Sequence, residues 1–177
     1  MGVNTKFPNG VGADTSNYID TTGVTCENIT ATGTLTLSSG LVRSAVVTTD
    51  AATYTVLAAN SGKTHIVPNL TADCVFTLPT PAAGLHYRFI YGGGAADAQD
   101  WTLNTGSDTN YFIGGLAGHD TTAVILYVFS DGNSNSKVKI DTPNIGTAVE
   151  LYCDGTNWYI SGTVHSSTDT HSVFSDQ

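Results

Sequence analysis

The chain reads as an all-β protein, an antiparallel β-sandwich or barrel of jelly-roll type that carries an extended N-terminal arm. Three observations predict this. Strong helix formers are scarce, with glutamate only at Glu27 and Glu150 and methionine only at Met1. Threonine, valine, tyrosine and glycine fill their place, which favours pleated strands and tight turns. From Arg43 to His165, short apolar-alternating runs recur about every 8–12 residues, the rhythm of a sandwich or barrel.

The expected strands, in order, are Ala45–Thr49, Tyr54–Ala58, Thr64–Val67, Cys74–Leu78, Leu85–Tyr91, Trp101–Asn104, Thr122–Phe129, Lys137–Ile140, Ala148–Cys153 and Asn157–Val164. Turn chemistry separates them: Asn60-Ser61-Gly62, Pro79-Thr80-Pro81, Gly92-Gly93-Gly94, Asp131-Gly132-Asn133 and Asp154-Gly155. Pro79 has no N–H to give a ladder, so its strand must stop at Leu78. The last two runs make the strongest hairpin signal. Val149, Leu151 and Cys153 alternate before the Asp-Gly turn, and Trp158, Ile160 and Gly162 continue the period of two after it.

Residues 1–42 differ from the rest, being rich in Gly, Thr, Asn and Ser with few large apolar groups. Such a segment cannot bury enough surface to fold alone and is expected to be an attachment arm ordered by contact with something else. Residues 43–165 are the sandwich domain, and 166–177 a polar, loosely held tail. One strand breaks the alternation: Thr122–Phe129 is apolar on both faces, whereas one face of such a sheet normally meets water. A subunit interface accounts for it, with Val124, Leu126 and Val128 as the interface candidates.

Composition excludes several partners. Charged residues are 12% of the chain, against roughly 25% in an ordinary soluble domain. The formal charge is −9, and the six basic residues Lys6, Arg43, Lys63, Arg88, Lys137 and Lys139 are scattered, which argues against nucleic acid and against an anionic membrane. No run of 18 apolar residues occurs, and the opening residues lack the apolar stretch of a signal peptide, so synthesis in a cytoplasm without export is expected. Three cysteines (Cys26, Cys74, Cys153) without CxxC spacing predict no disulfide framework, and Cys74 and Cys153 fall on apolar strand faces. Asn28 and Asn69 open sequons that read as chance matches in a Thr-rich chain.

Reactive constellations are hard to nominate, and no enzyme, cofactor or metal site is expected. No GxSxG elbow occurs; Gly118-His119-Asp120 suggests a base beside a carboxylate but reads better as a loop. Asp131-Gly132-Asn133-Ser134-Asn135 resembles the start of a calcium loop, yet its sixth position is Ser136 and its twelfth Thr142, where glycine and glutamate are required. His165 and His171 would meet only around an oligomer axis, and Gly92–Gly94 has no cation or helix to make a phosphate cradle. Asp97, Asp100 and Asp108 are loop carboxylates with no signal of a raised pKa. Trp101, Tyr111, Phe112, Trp158 and Tyr159 could form a sugar-stacking platform, although Trp158 alternates with core positions.

The closing hairpin, Val149 to Val164 with its Asp-Gly-Thr-Asn-Trp-Tyr turn, resembles a recurring ending of tailed-bacteriophage virion surface proteins. So does Phe76 to Phe89, where a strand ends at Leu78-Pro79 and a Pro81-to-Gly84 turn leads onward. The alternating ITATGTLTLSSG stretch is similar to repeats that link attachment arms to globular heads in those proteins. The resemblance implies a virion component on the outer capsid surface, either a capsid decoration (cement) protein or a head- or tail-fibre protein that binds host glycans. Decoration suits a short, acidic chain without shaft repeats. It further implies a homotrimer whose partner is the major capsid protein, with Phe7, Pro8, Val11, Tyr18 and Ile19 inserting between capsid subunits.

Overall fold

A computed structural model describes residues 45–96, 98–122, 125–168 and 173–177. The arm, with Phe7, Pro8, Val11, Tyr18 and Ile19, and also Cys26, Asn28, Asp97, Val124 and His171, lie outside the described residues.

The described residues form two β-sheets packed face to face. The first six strands are β1 (Val46–Val47), β2 (Thr53–Thr55), β3 (Thr64–Val67), β4 (Cys74–Thr77), β5 (His86–Tyr91) and β6 (Trp101–Asn104). Six more follow: β7 (Phe112–His119), β8 (Ile125–Phe129), β9 (Lys137–Ile140), β10 (Ala148–Cys153), β11 (Trp158–His165) and β12 (Val173–Ser175). One sheet has the order β1-β3-β5-β10-β11-β7-β8 and the other β12-β9-β6-β4-β2. The all-β sandwich is as the sequence predicts.

Pairing within the sheets is mixed rather than antiparallel throughout. From β1 to β6 every strand changes sheet, so β1, β3 and β5 run parallel in one wall and β2, β4 and β6 run parallel in the other. A parallel pair needs a crossover of a dozen or more residues. Here a strand of the opposite wall supplies each crossover, in place of a helix. The start of the domain is therefore wound like a two-walled β-solenoid, with steps of 24 residues between paired Thr64 and Arg88 and 27 between Cys74 and Trp101. Antiparallel strands then extend both walls, β9 and β12 beyond β6 and the β10–β11 hairpin beyond β5, and the longer wall ends with β7 parallel to β11 and β8 antiparallel to β7.

Local chemistry explains the element ends. Leu78 N–H still donates to Asn104 O at 2.9 Å, and the ladder ends there because Pro79 follows. In the closing hairpin the Asp154 carboxylate accepts from the N–H groups of Thr156 and Asn157, each at 2.8 Å, and Gly155 takes φ 105°. Those bonds to the ionised form hold the Asp154 carboxyl below its ordinary pKa. The register is Cys153 opposite Trp158, as alternation requires.

The core lies between the walls and is strongly aromatic. Trp101 packs edge-on against Phe76 (5.5 Å) and Phe89 (5.8 Å), and Trp158 lies 5.8 Å from Tyr87. Cys74 and Cys153 are buried among them, as their alternation predicts, and burial pushes the Cys74 thiol up to about 11.

Two strands depart from the sequence expectation. Residues 112–119 form β7, an eight-residue central strand, where glycines suggest a loop. The tail is tied down: β12 pairs with β9, Phe174 reaches within 6.3 Å of Phe112, and Ser167 Oγ donates to Ala96 O at 2.9 Å.

Candidate functional site

The residues singled out for chemistry are dispersed by the fold. His119 and Asp120 follow one another at the end of a strand, so they leave it on opposite sides. Asp120 is buried and accepts from Thr122 N–H and Oγ1–H, whereas His119 is exposed. The Asp131 carboxylate is occupied by its own turn, taking N–H bonds from Asn133, Ser134 and Asn135 at 3.0–3.2 Å and a hydroxyl bond from Ser134. Those donors hold its pKa down to about 2, and the loop is a closed Asp turn. Asp100 and Asp141 both bind Lys139 Nζ, at 2.7 and 2.6 Å, and this pairing holds the Lys139 ammonium well above its ordinary pKa. Asp108 Oδ1 is 3.4 Å from Ser136 Oγ. The glycine turn packs against Asn69, whose side chain accepts from Gly94 N–H at 3.1 Å.

The aromatic platform divides in two. Trp101, Phe112 and Trp158 are fully buried, so Trp101 does not serve a surface site as its position after an acidic loop suggests. Tyr111 is half-buried, and Tyr159 is exposed. On the neighbouring strand Tyr152 stands opposite Tyr159 and stacks on His86, rings 4.3 Å apart and 7° from parallel. His119 and His165 lie side by side at the far end of β7 and β11, 5.1 Å apart, and His165 Nδ1 is 2.9 Å from Ile145 O.

What the fold does assemble is a continuous outer face on the seven-stranded sheet. Among the described strands β8 forms its edge, and its outward side chains Ile125, Tyr127 and Phe129 are 68%, 64% and 71% exposed. The ring centroids of Tyr127 and Phe129 lie 6.5 Å apart, with the ring planes 12° from parallel. The inward side chains are Leu126 and Val128, both half-buried, with Val128 against the core. Of the expected interface residues these two therefore face inward, and the open ridge is the alternate set. Beside the ridge the relief drops. Gly115 and Ala117 of β7 stand opposite Phe129 and Tyr127, and Ser161 and Thr163 of β11 come next.

The sequence marks this strand as two-faced, which is the signal that finds the ridge. Its phase is set by the ladder to β7, and shifting phase by one residue exchanges the faces. A second surface feature is a cleft of about 320 Å³ where the loops after β4 and β6 meet. Its lining is uncharged and includes Thr77, Thr80, Pro81, Ser107 and Asn110.

No protein-family model matches this chain, and no curated protein matches it in sequence.

Proposed function

We propose that this chain is a structural virion protein of the capsid-decoration type, which binds the outer capsid surface as an oligomer and stabilises the head. The observation that carries the reading is the ridge Ile125–Tyr127–Phe129, an exposed apolar strip on an edge strand without a charge, proline or bulge to protect it. Edge strands of isolated proteins are normally blunted by such devices, so a bare one fits a protein that works by assembly. The closed aromatic core and an acidic chain of charge −9 suit a rigid body facing solvent.

In this reading the major capsid protein is the partner of residues 1–42, through Phe7, Pro8, Val11, Tyr18 and Ile19. Several arms on one oligomer act at high effective concentration, so modest single contacts become long-lived. Immunogold labelling of intact virions with an antibody against residues 43–165 tests it. Label over the whole head is expected. Absence from the head overturns it. Deleting residues 1–20 should then leave a folded protein that no longer binds capsids.

A second reading, a head- or tail-fibre protein that binds host glycans, draws on the exposed Tyr152 and Tyr159 beside stacked His86. Label confined to the tail or to one vertex, with glycan binding lost in Tyr159→Ala, supports that reading over decoration.

A further inference from the structure

We propose that the outer face of the seven-stranded sheet is occupied by the same face of a second copy, packed about a two-fold axis so that each ridge of Ile125, Tyr127 and Phe129 seats over the low strip of the other copy. This rests on the reading of the chain as an assembly protein, but on nothing about a capsid.

Three observations select a second copy as occupant. The first is relief. The ridge stands 64–71% exposed on β8, and beside it the small Ala117, Ser161 and Thr163 form a low strip between Ile113 and Tyr159 at one end and His119 and His165 at the other, with the Phe129 ring lying over Gly115. Ridge and strip lie side by side on one face, so a two-fold rotation places each over the other. A closed three-fold ring would instead need them on different sides of the molecule. This geometry departs from the trimer that the resemblance implies.

The second observation is charge. The chain carries −9, so two copies repel each other on average. The outward positions of β7, β8 and β11 hold no Asp, Glu, Lys or Arg. At its margins Arg88 and Glu150 pair with each other at 3.5 Å, and the Asp154 carboxylate accepts from the Tyr159 hydroxyl at 3.3 Å. A copy of itself meets least repulsion here. A basic or acidic partner finds nothing to read.

Size is the third. The uncharged β7, β8 and β11 with β10 beside them, about 4.8 Å apart and five to eight residues long, present on the order of 400 Å² in projection, which fits a weak, concentration-dependent pair below the ~800 Å² per partner of a standard interface. Among the described strands β8 is the last of its sheet, and its outer edge lies at the rim of this contact.

The test is sedimentation velocity on the full chain at 1–50 µM (about the range where such pairs dissociate). A dimer is expected. Tyr127→Asp and Ala117→Trp, one lowering the ridge and the other filling the strip, should each weaken it by roughly 100-fold or more with an unchanged circular-dichroism spectrum. Leu57→Asp, exposed after β2 of the other sheet, should leave it intact. Should Tyr127→Asp fail to fold, Ala117→Trp and Thr163→Trp carry the test, since both side chains point away from the core. A monomeric wild-type chain, a trimer, or a dimer indifferent to these changes overturns the inference. A monomer found on virion heads would sink it and leave the capsid-binding part of the decoration reading standing, whereas a dimer absent from virions would do the reverse.

Discussion

His65 of β3 stands directly across the parallel ladder from Phe89 of β5, with the two rings 4.9 Å apart. Tyr87 closes the other side at 5.6 Å, and His65 has no exposed surface. Neither ring nitrogen has a hydrogen-bond partner among the described residues. Desolvation, outweighing the smaller effects of Lys63, lowers the pKa of His65 below its ordinary value.

That placement ties stability to pH. The folded pKa lies below the unfolded one, so the unfolded chain takes up the proton first. Stability is therefore full above about pH 6.5 and falls as the pH drops towards the folded pKa, by at most about 1.4 kcal/mol per pH unit for one proton. Urea titrations at pH 7.5, 6.0 and 5.0 should show falling midpoints, and His65→Phe should flatten this dependence. An unchanged slope in the variant would place the acid sensitivity elsewhere.

Gly114 has φ 130°, and a Cβ there would lie 2.1 Å from Ile160 O on the neighbouring strand. Gly114→Ala combines an unfavourable backbone region with a backbone clash. It should cost at least about 2 kcal/mol and lower Tm by roughly 5 °C or more. Differential scanning calorimetry checks this, with Gly132→Ala, where nothing lies within 4 Å, separating the clash from the backbone term.

Trp101 touches Phe76 and Phe89 and has no exposed surface, whereas Ile145 is 69% exposed. Trp101→Ala should lose about 3–5 kcal/mol, and Ile145→Ala should stay within about 0.5 kcal/mol of the wild type. Denaturant melts that gave the two equal costs would contradict the core described above. Loss of glycan binding in Trp101 variants would, by the same token, reflect unfolding.

The Cys74 thiol is buried, and its pKa of about 11 leaves little thiolate at pH 8. Iodoacetamide at pH 8 should leave Cys74 unmodified in the folded protein and alkylate it fully in about 6 M guanidinium, which denatures ordinary domains. Peptide mass spectrometry reads the outcome directly.

Most of the fold was legible because its signals are local. The turn at Asp154-Gly155 and the stop at Pro79 act within a few residues, and the alternation of Val149, Leu151 and Cys153 continues in Trp158 and Ile160. The exposed apolar face was half legible. Residues 122–129 stood out as apolar on both sides, but the outward set of Ile125, Tyr127 and Phe129 depends on what pairs with them.

By itself the sequence determined the class: an acidic, helix-poor chain of short strands, with aromatic and cysteine positions committed to a core. Tertiary structure decided three things. It made a strand of Phe112–His119, because glycine is needed where Ile160 O presses on Gly114 and where the Phe129 ring fills the space of a Cβ on Gly115. It set parallel pairing from β1 to β6, because each strand crosses to the opposite wall before returning. And it chose which face of β8 meets solvent. Periodicity records how side chains alternate along one strand, while register and face are properties of two strands together.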